Sequence, residues 1–311
     1  MRVFLAGATG VIGRRLVPML LAEGHHVTGM TRSPERAKLL RAAGAEAVVA
    51  DALDGAAVNA AVLEAEPEAV IHQLTSLPQR IDPRHIERDF VLNDRLRSEG
   101  TRLLVAAAHT AGARRIVAQS VAFAYAPGPP GTLHTERDPP LLEQAPKAFR
   151  RSARALSDLE STVLGAEGIV LRYGYFYGPG SSISRAGTMA DDLARRRLPI
   201  VGRGTGVWSF VHVDDAVKAT VIALAHGGSG VYNIVDDDPA PVADWVPILA
   251  DALGAPRPRS IPAFVARLMA GSYAVLLMTR GQGASNELAK RELVWRPQYA
   301  SWREGFRTAL G

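Results

Sequence analysis

Cysteine is missing altogether from the 311 residues. Its absence excludes disulfides, thiolate metal sites, zinc-finger chemistry and a cysteine nucleophile, and it fits a cytoplasmic protein. Long hydrophobic runs are also scarce. The uncharged apolar stretch Leu268 to Thr279 falls short of the ~20 residues a membrane helix needs, so it is expected to be buried or to face a partner, with no membrane association. The first residues lack the basic segment and long apolar core of a cleavable signal, so secretion is not expected. Repeats and low-complexity tracts are absent. Basic residues outnumber acidic ones, 36 to 31, yet they are scattered. The short run Arg195-Arg196-Arg197 has no nucleic-acid motif around it and reads as a solvated helix end. What remains is an ordinary globular composition, 47% hydrophobic and 22% charged, long enough for one large α/β domain with a small lobe.

The strongest positive signal is Val3-Phe4-Leu5-Ala6-Gly7-Ala8-Thr9-Gly10-Val11-Ile12-Gly13, a short apolar strand running into three glycines spaced three apart. An apolar-periodic helix pattern follows, with Val11, Ile12, Leu16, Met19 and Leu20. Gly7 allows a tight turn, Gly10 lets the backbone approach a pyrophosphate, and Gly13 permits close packing of helix on strand. Free N–H groups at the helix start then face the anion. The spacing predicts a dinucleotide site.

Strand and helix signals alternate through the first half, with strands near Arg2–Ala6, His26–Thr31, Ala47–Ala50, Ala69–Leu74, Arg115–Ser120 and Ile169–Tyr173. Helices are expected between them, including Pro34–Ala43 and a long one from about Asp82 to Ala111. Right-handed crossovers give an α/β, doubly wound parallel sheet of order 3-2-1-4-5-6, with the ligand crevice at the carboxyl ends of the strands. Ala126–Pro146, rich in Pro and Gly, is expected to be a loop at its mouth. A helix beginning at Asp214, a strand at Gly230–Val235 and short helices beyond complete the pattern. Residues 1–173 with about 207–240 are expected to form the dinucleotide-binding domain. About 174–206 with 241–311 are expected to form a small, mostly helical substrate lobe.

Several stretches in order resemble the extended short-chain dehydrogenase/reductase family, also called the NAD-dependent epimerase/dehydratase family. Beside the glycine turn these are Asp51-Ala52, Val70-Ile71-His72, Gly100-Thr101-Arg102-Leu103-Leu104, Leu171-Arg172 with Tyr177-Gly178-Pro179-Gly180, Phe210-Val211-His212-Val213-Asp214-Asp215, Tyr232-Asn233, and Glu292-Leu293-Val294-Trp295-Arg296-Pro297. The resemblance covers nearly the whole chain and implies a Rossmann domain binding NAD(P). In it Thr9, Gly10, Val11 and Ile12 meet the phosphates and Asp51 with Ala52 lies near the adenine. Gln73, Leu74 and Thr75 line the cofactor, with Tyr173 beside them. It also implies a homodimer. At the end of the second strand, where NAD sites place an acidic residue, this chain has Thr31-Arg32-Ser33, and an arginine with a hydroxyl suits a 2′-phosphate. NADP(H) is therefore expected over NAD(H).

The chain departs from the family in its chemistry. Family members use a Ser/Thr with Tyr-x-x-x-Lys, the lysine lowering the tyrosine pKa while the nicotinamide moves a hydride. None of the seven tyrosines here is followed four residues on by lysine. If Glu160 marks the family register, Ser152 and Leu156 occupy the Tyr and Lys positions, and Arg97 stands where an asparagine is usual. Ser120 matches the family serine. Tyr175 stands where relatives put an asparagine facing the substrate, so Tyr175, Tyr125 or a water is the expected proton donor. Tyr177, Phe176 and Trp208 are expected to form an aromatic substrate wall, and Val207-Trp208-Ser209 lacks the arginine that clamps a nucleotide-sugar diphosphate. Asp214-Asp215 read as a helix cap, Asp236-Asp237-Asp238 as a solvated turn and His72 as structural. No metal site is expected.

The expected activity is an NADP(H)-dependent oxidoreductase acting on a mostly apolar or aromatic small molecule. An epimerase or dehydratase with no net redox change, and a dinucleotide-sensing regulatory binding protein, are the alternatives.

Overall fold

The computed structural model describes residues 1–129 and 131–311; Pro130, inside the expected loop at the crevice mouth, lies outside the described residues. Strands β1 (Arg2–Ala6), β2 (His26–Thr31), β3 (Glu46–Val49), β4 (Ala69–His72), β5 (Arg115–Val121) and β6 (Ile169–Tyr173) alternate with helices. These are α1 (Gly13–Ala22), α2 (Pro34–Ala42), α3 (Gly55–Ala65), α4 (Ile86–Asp89), α5 (Val91–Arg95), α6 (Thr101–Thr110) and α7 (Arg150–Gly165). Next come β7 (Tyr175–Tyr177), α8 (Thr188–Ala194), β8 (Ile200–Val201), β9 (Val207–Trp208), β10 (Phe210–His212), α9 (Val213–Ile222) and β11 (Gly230–Ile234). The chain finishes through β12 (Ala240–Pro241), α10 (Val242–Ala252), β13 (Ser260–Ile261), α11 (Ala263–Arg280) and α12 (Trp302–Thr308).

Seven strands form one sheet in the order β11-β6-β5-β4-β1-β2-β3, every pair parallel. This is the expected 3-2-1-4-5-6 order with β11 added at the β6 edge. Apolar side chains alternate between the two faces. One layer packs Leu16, Val17, Leu20 and Val217 of α1 and α9 against Leu5, Ile71 and Leu171. The other packs Val58, Val62, Leu104 and Val163 of α3, α6 and α7 against Phe4, Val70 and Ala118. Burying each Leu or Val contributes about 1.5–3 kcal/mol, so both faces are firmly covered.

The long helix expected over 82–111 is interrupted. Asp82 bonds the Arg84 backbone N–H at 3.0 Å, α4 and α5 are short, and Leu96–Gly100 widens into a π-turn before α6. The Thr101 hydroxyl donates to the Arg97 carbonyl at 2.5 Å, competing with the helix ladder there.

A separate aromatic core buries Trp208 and Phe210, from the segment expected in the dinucleotide-binding domain, together with Trp245, Trp302 and Phe306 from the segment expected in the lobe. β7 pairs with β10, β9 with β12 and β8 with β13. Helix α11 is kinked at Gly271 and lays Tyr273 against Phe149 at the start of α7.

Two acidic groups differ from their sequence reading. The α9 cap is His212, whose Nδ1 accepts the Asp214 N–H at 3.2 Å. Asp214 pairs with Arg15 at 3.0 Å, and buried Asp215 accepts the N–H groups of Gln298 and Tyr299 at 2.7 and 3.0 Å. The three aspartates at 236–238 are not a solvated turn. Asp236, 2% exposed, accepts the Trp302 N–H at 2.8 Å, Asp237 accepts from Asn286, and Asp238 from Ser301 and Arg303. Asp215, Asp236 and Asp238 thus accept from groups 63 to 84 residues further along the chain, and local sequence does not reveal such partners.

Candidate active site

The phosphate cradle is built from backbone. Gly7 has φ +90° and a Cβ there would lie 2.5 Å from the Gln73 carbonyl oxygen; a Cβ on Gly13 would lie 2.1 Å from the Gly7 carbonyl oxygen. Neither position admits a side chain. Gly10 is exposed and donates its N–H to Gly7 at 3.1 Å, with Thr9 and Val11 half-buried beside it and Ile12 buried. No side chain caps α1, and the N–H groups of Val11, Ile12 and Gly13 bond no described residue, which leaves them available to an anion, whereas those of Arg14 and Arg15 are held by the Gly10 and Ile12 carbonyls. These residues fit a dinucleotide pyrophosphate.

At the end of β2, Arg32 is exposed and makes no hydrogen bond or ion pair with any described residue. The Ser33 hydroxyl is engaged: it accepts from the Arg36 N–H at 3.2 Å, capping α2, and donates to Glu35 at 2.7 Å. Arg36, which sequence reasoning missed, is a second exposed guanidinium without a partner among the described residues. Asp51 is exposed beside buried Ala52 and accepts the Leu53 N–H at 3.0 Å. Gln73 is buried, donating to the Tyr173 hydroxyl at 3.2 Å while its own Oε1 has no partner. Leu74 is half-buried and Thr75 exposed at the crevice edge. Tyr173 is 1% exposed with its hydroxyl held by Thr220 at 2.6 Å, so its side chain faces the interior. His72 accepts from the Leu74 N–H and contacts the Thr101 hydroxyl at 2.9 Å. Burial first, then the Arg97 charge, lowers its pKa to about 4, so it is neutral and structural.

The chemical half is a side-chain network. Ser120 is buried and donates to Glu160 at 2.6 Å, and Arg172 Nε donates to the same carboxylate at 2.8 Å. The Arg172 guanidinium lies 4.7 Å from the centre of the Tyr125 ring, whose hydroxyl donates to Asn233 at 2.7 Å. Ser120 and Tyr125 are thus brought together, but both hydroxyls are spent on structure. Burial pushes the Tyr125 pKa up to about 12.

Tyr175 is stacked between Phe123 at 4.4 Å and Trp208 at 3.7 Å, its hydroxyl buried without a partner. Burial raises its pKa well above the ordinary phenol value. Trp208 is anchored by its indole N–H to the Leu277 carbonyl at 3.1 Å. Phe176 lies against Tyr173 at 5.3 Å. Tyr177 sits apart from this wall, fully buried in the aromatic core edge-on to Phe306 and His212.

On α7, Ser152 donates to Asp94 at 3.0 Å, and Leu156 is buried among Phe149, Ala153 and Tyr273. No lysine reaches the crevice from this helix. Arg97 and Tyr273 are each 6% exposed and neither side chain has a hydrogen-bond partner among the described residues. Sequence reasoning noted Arg97 as a departure but not its burial. Tyr273 was hidden in an apolar run. Among the described residues no group of three or more His, Cys, Asp or Glu side chains converges, and no helix is long and apolar enough to cross a membrane. A depression of about 480 Å³ between Arg2, Glu68, Thr110 and Arg114 lies at the amino ends of the strands, away from these groups. The cradle opens at the opposite, carboxyl ends of the strands.

The doubly wound sheet with a glycine cradle at the first strand-to-helix turn defines a Rossmann-type, NAD(P)-binding protein. The model of the NAD dependent epimerase/dehydratase family matches residues 3–235, and the chain belongs to that family. It is 46% identical to a 3-diazoavenalumate denitrifying reductase of a Streptomyces species, over 98% of this chain and 99% of that protein. It is 29% identical to a UDP-glucose 4-epimerase of Mycolicibacterium smegmatis, over 96% and 95%. Among solved structures, a UDP-glucose 4-epimerase of Thermotoga maritima with UDP-glucose shares the fold, with a TM-score of 0.77 and 21% identity over 100% and 97% of the two chains. A Thermus thermophilus UDP-glucose 4-epimerase complexed with NAD gives a TM-score of 0.74 at 24% identity, over 100% and 98%.

Proposed function

We propose that this protein is an NADP(H)-dependent reductase that reduces an aromatic small molecule, and that its substrate is an aryl diazo compound. The carrying observation is a complete dinucleotide cradle beside a crevice that has no acid built like Tyr-x-x-x-Lys. Ser152 and Leu156 hold the two motif positions, and burial raises the Tyr125 and Tyr175 pKa values. A reduction that consumes no enzyme proton suits such a site.

The bound cofactor supplies a hydride at its nicotinamide ring. If hydride replaces dinitrogen on an aryldiazonium carbon, a C–H bond forms with the hydride pair and the C–N pair leaves with N2. The cofactor ends oxidised and no proton is taken up. The chain's own residues then bind and orient: Arg32, with Arg36 nearby, for the 2′-phosphate, the cradle for the pyrophosphate, and the Phe123, Tyr175 and Trp208 stack for a flat apolar ring. The name of the 46%-identical relative, a denitrifying reductase of a diazo compound, supports the same chemistry here.

The test uses NADPH deuterated at its transferable position with 4-carboxybenzenediazonium. The expected result is N2 release matching NADPH oxidation above the rate without protein, with deuterium on the carbon that lost nitrogen. Arg32→Ala is expected to weaken NADPH binding about 10- to 100-fold, the scale of one charge-assisted contact, and to leave NADH binding nearly unchanged. Product without deuterium rejects the substrate reading; NADH bound more tightly than NADPH by the wild type rejects the cofactor reading.

A further inference from the structure

Within the crevice, one positive charge has no counterpart. Arg97 projects from the π-turn Leu96–Gly100, against α7, and is buried. Two carboxylates lie within its field, Asp94 and Glu160. Both are already claimed: Asp94 by Arg151 at 2.8 Å and Ser152 at 3.0 Å, Glu160 by Arg172 at 2.8 Å and Ser120 at 2.6 Å. Asp94 keeps one oxygen without a partner, yet no ion pair joins it to Arg97. His72, which also faces the guanidinium, is neutral. Three guanidiniums therefore share two carboxylates, and Arg97 is the one left over. A buried cation without a partner is strongly unfavourable unless a ligand supplies the anion.

A second set of groups points the same way. Tyr273 lies close enough to both Arg97 and Tyr175 for their charges to act on one another. Its ring is held flat against Phe149 at 4.0 Å and its hydroxyl has no partner among the described residues. The Tyr175 hydroxyl and Asn93 Nδ2 are also buried without partners. Unsatisfied buried polar atoms are rare, and several around one crevice mark where a ligand's polar atoms belong.

We propose that Arg97 receives a negatively charged oxygen of the aromatic substrate, a phenolate or a carboxylate, with the Tyr273 hydroxyl donating to the same oxygen. The inference rests on the reading of this crevice as an aromatic-substrate site but does not depend on which bond is reduced. A neutral partner such as a ribose hydroxyl would leave the charge uncompensated.

The experiment measures binding to the NADP⁺-loaded protein of 4-nitrophenol, 4-nitrobenzoate and the neutral 4-nitroanisole, so diazo reduction can fail without touching it. In the wild type the two anions are expected to bind at least about 10-fold tighter than 4-nitroanisole, with bound 4-nitrophenol absorbing as its phenolate; one charge-assisted contact is of that size. A preference confined to 4-nitrophenol identifies a phenolate site, and one confined to 4-nitrobenzoate a carboxylate site. Arg97→Met is expected to abolish the preference and the phenolate band, Arg97→Lys to restore part of it, and Tyr273→Phe to reduce it a few-fold, all with NADP⁺ affinity unchanged. Removing an unpaired buried cation is also expected to keep or raise the thermal midpoint of the ligand-free protein, whereas a structural Arg97 would lower it on substitution. Arg97→Met binding both anions as tightly as the wild type, or losing NADP⁺ affinity instead, overturns the proposal.

Discussion

The cradle at the β1–α1 turn and the crevice wall at α7 lie at the same end of one sheet, yet they are made of different materials. The cradle is backbone, and its essential positions are those where no Cβ fits. The wall is side chain, with Glu160, Arg172, Ser120, Tyr125 and Asn233 locked into one buried network. A backbone site can hardly vary without being lost, whereas a side-chain site can exchange residues one at a time. That difference explains how a family member retains its cofactor site while replacing its proton-transfer pair.

The contrast can be broken at either end. The largest effect is expected from Glu160→Ala, which leaves Arg172 buried without its counter-charge and costs about 3–5 kcal/mol of folding stability in urea denaturation. An unchanged midpoint would mean the network is not structural, and would free Ser120 and Tyr125 for chemistry. Next is Gly13→Ala, whose methyl collides with the Gly7 carbonyl. NADPH affinity followed by fluorescence is expected to fall by about 100-fold, or roughly 2.7 kcal/mol. Retained affinity would show that the cradle can deform, and the contrast would lose one side.

A smaller effect sharpens the comparison at His72, which lies between the two regions. Its folded pKa of about 4 is below the ordinary 6.5, so the folded state binds fewer protons and stability is full above the unfolded value. As pH falls from about 7 to about 5, the unfolded state is protonated first, and about 2 kcal/mol is expected to be lost. His72→Gln should flatten that slope in denaturation at the two pH values. If the slope persists, the acid sensitivity belongs to another group.

Most of the sheet was legible because it follows from periodicity and glycine spacing, which are local properties. The π-turn was not, because it depends on the Thr101 hydroxyl competing for the Arg97 carbonyl. The anchoring role of Asp215 and Asp236 was hidden because their partners lie 83, 84 and 66 residues away. Arg97 was visible as a departure from the family, but its burial depends on α7 and α11 packing over it. Tyr273 looked like one more apolar residue in a helix, and only the fold places it near a guanidinium.

The carboxylates that bind residues 298–302 also impose an order on synthesis. Asp215 and Asp236 have left the ribosome long before Gln298, Tyr299 and Trp302 exist, and the His212 ring meets the Ala309 carbonyl across 97 residues. Loops of that length close late. A nascent chain can complete its sheet, but the anchoring of residues 298–309 on Asp215, Asp236 and His212 waits for this late segment, so the packing around those three side chains is among the last parts of the molecule to take shape.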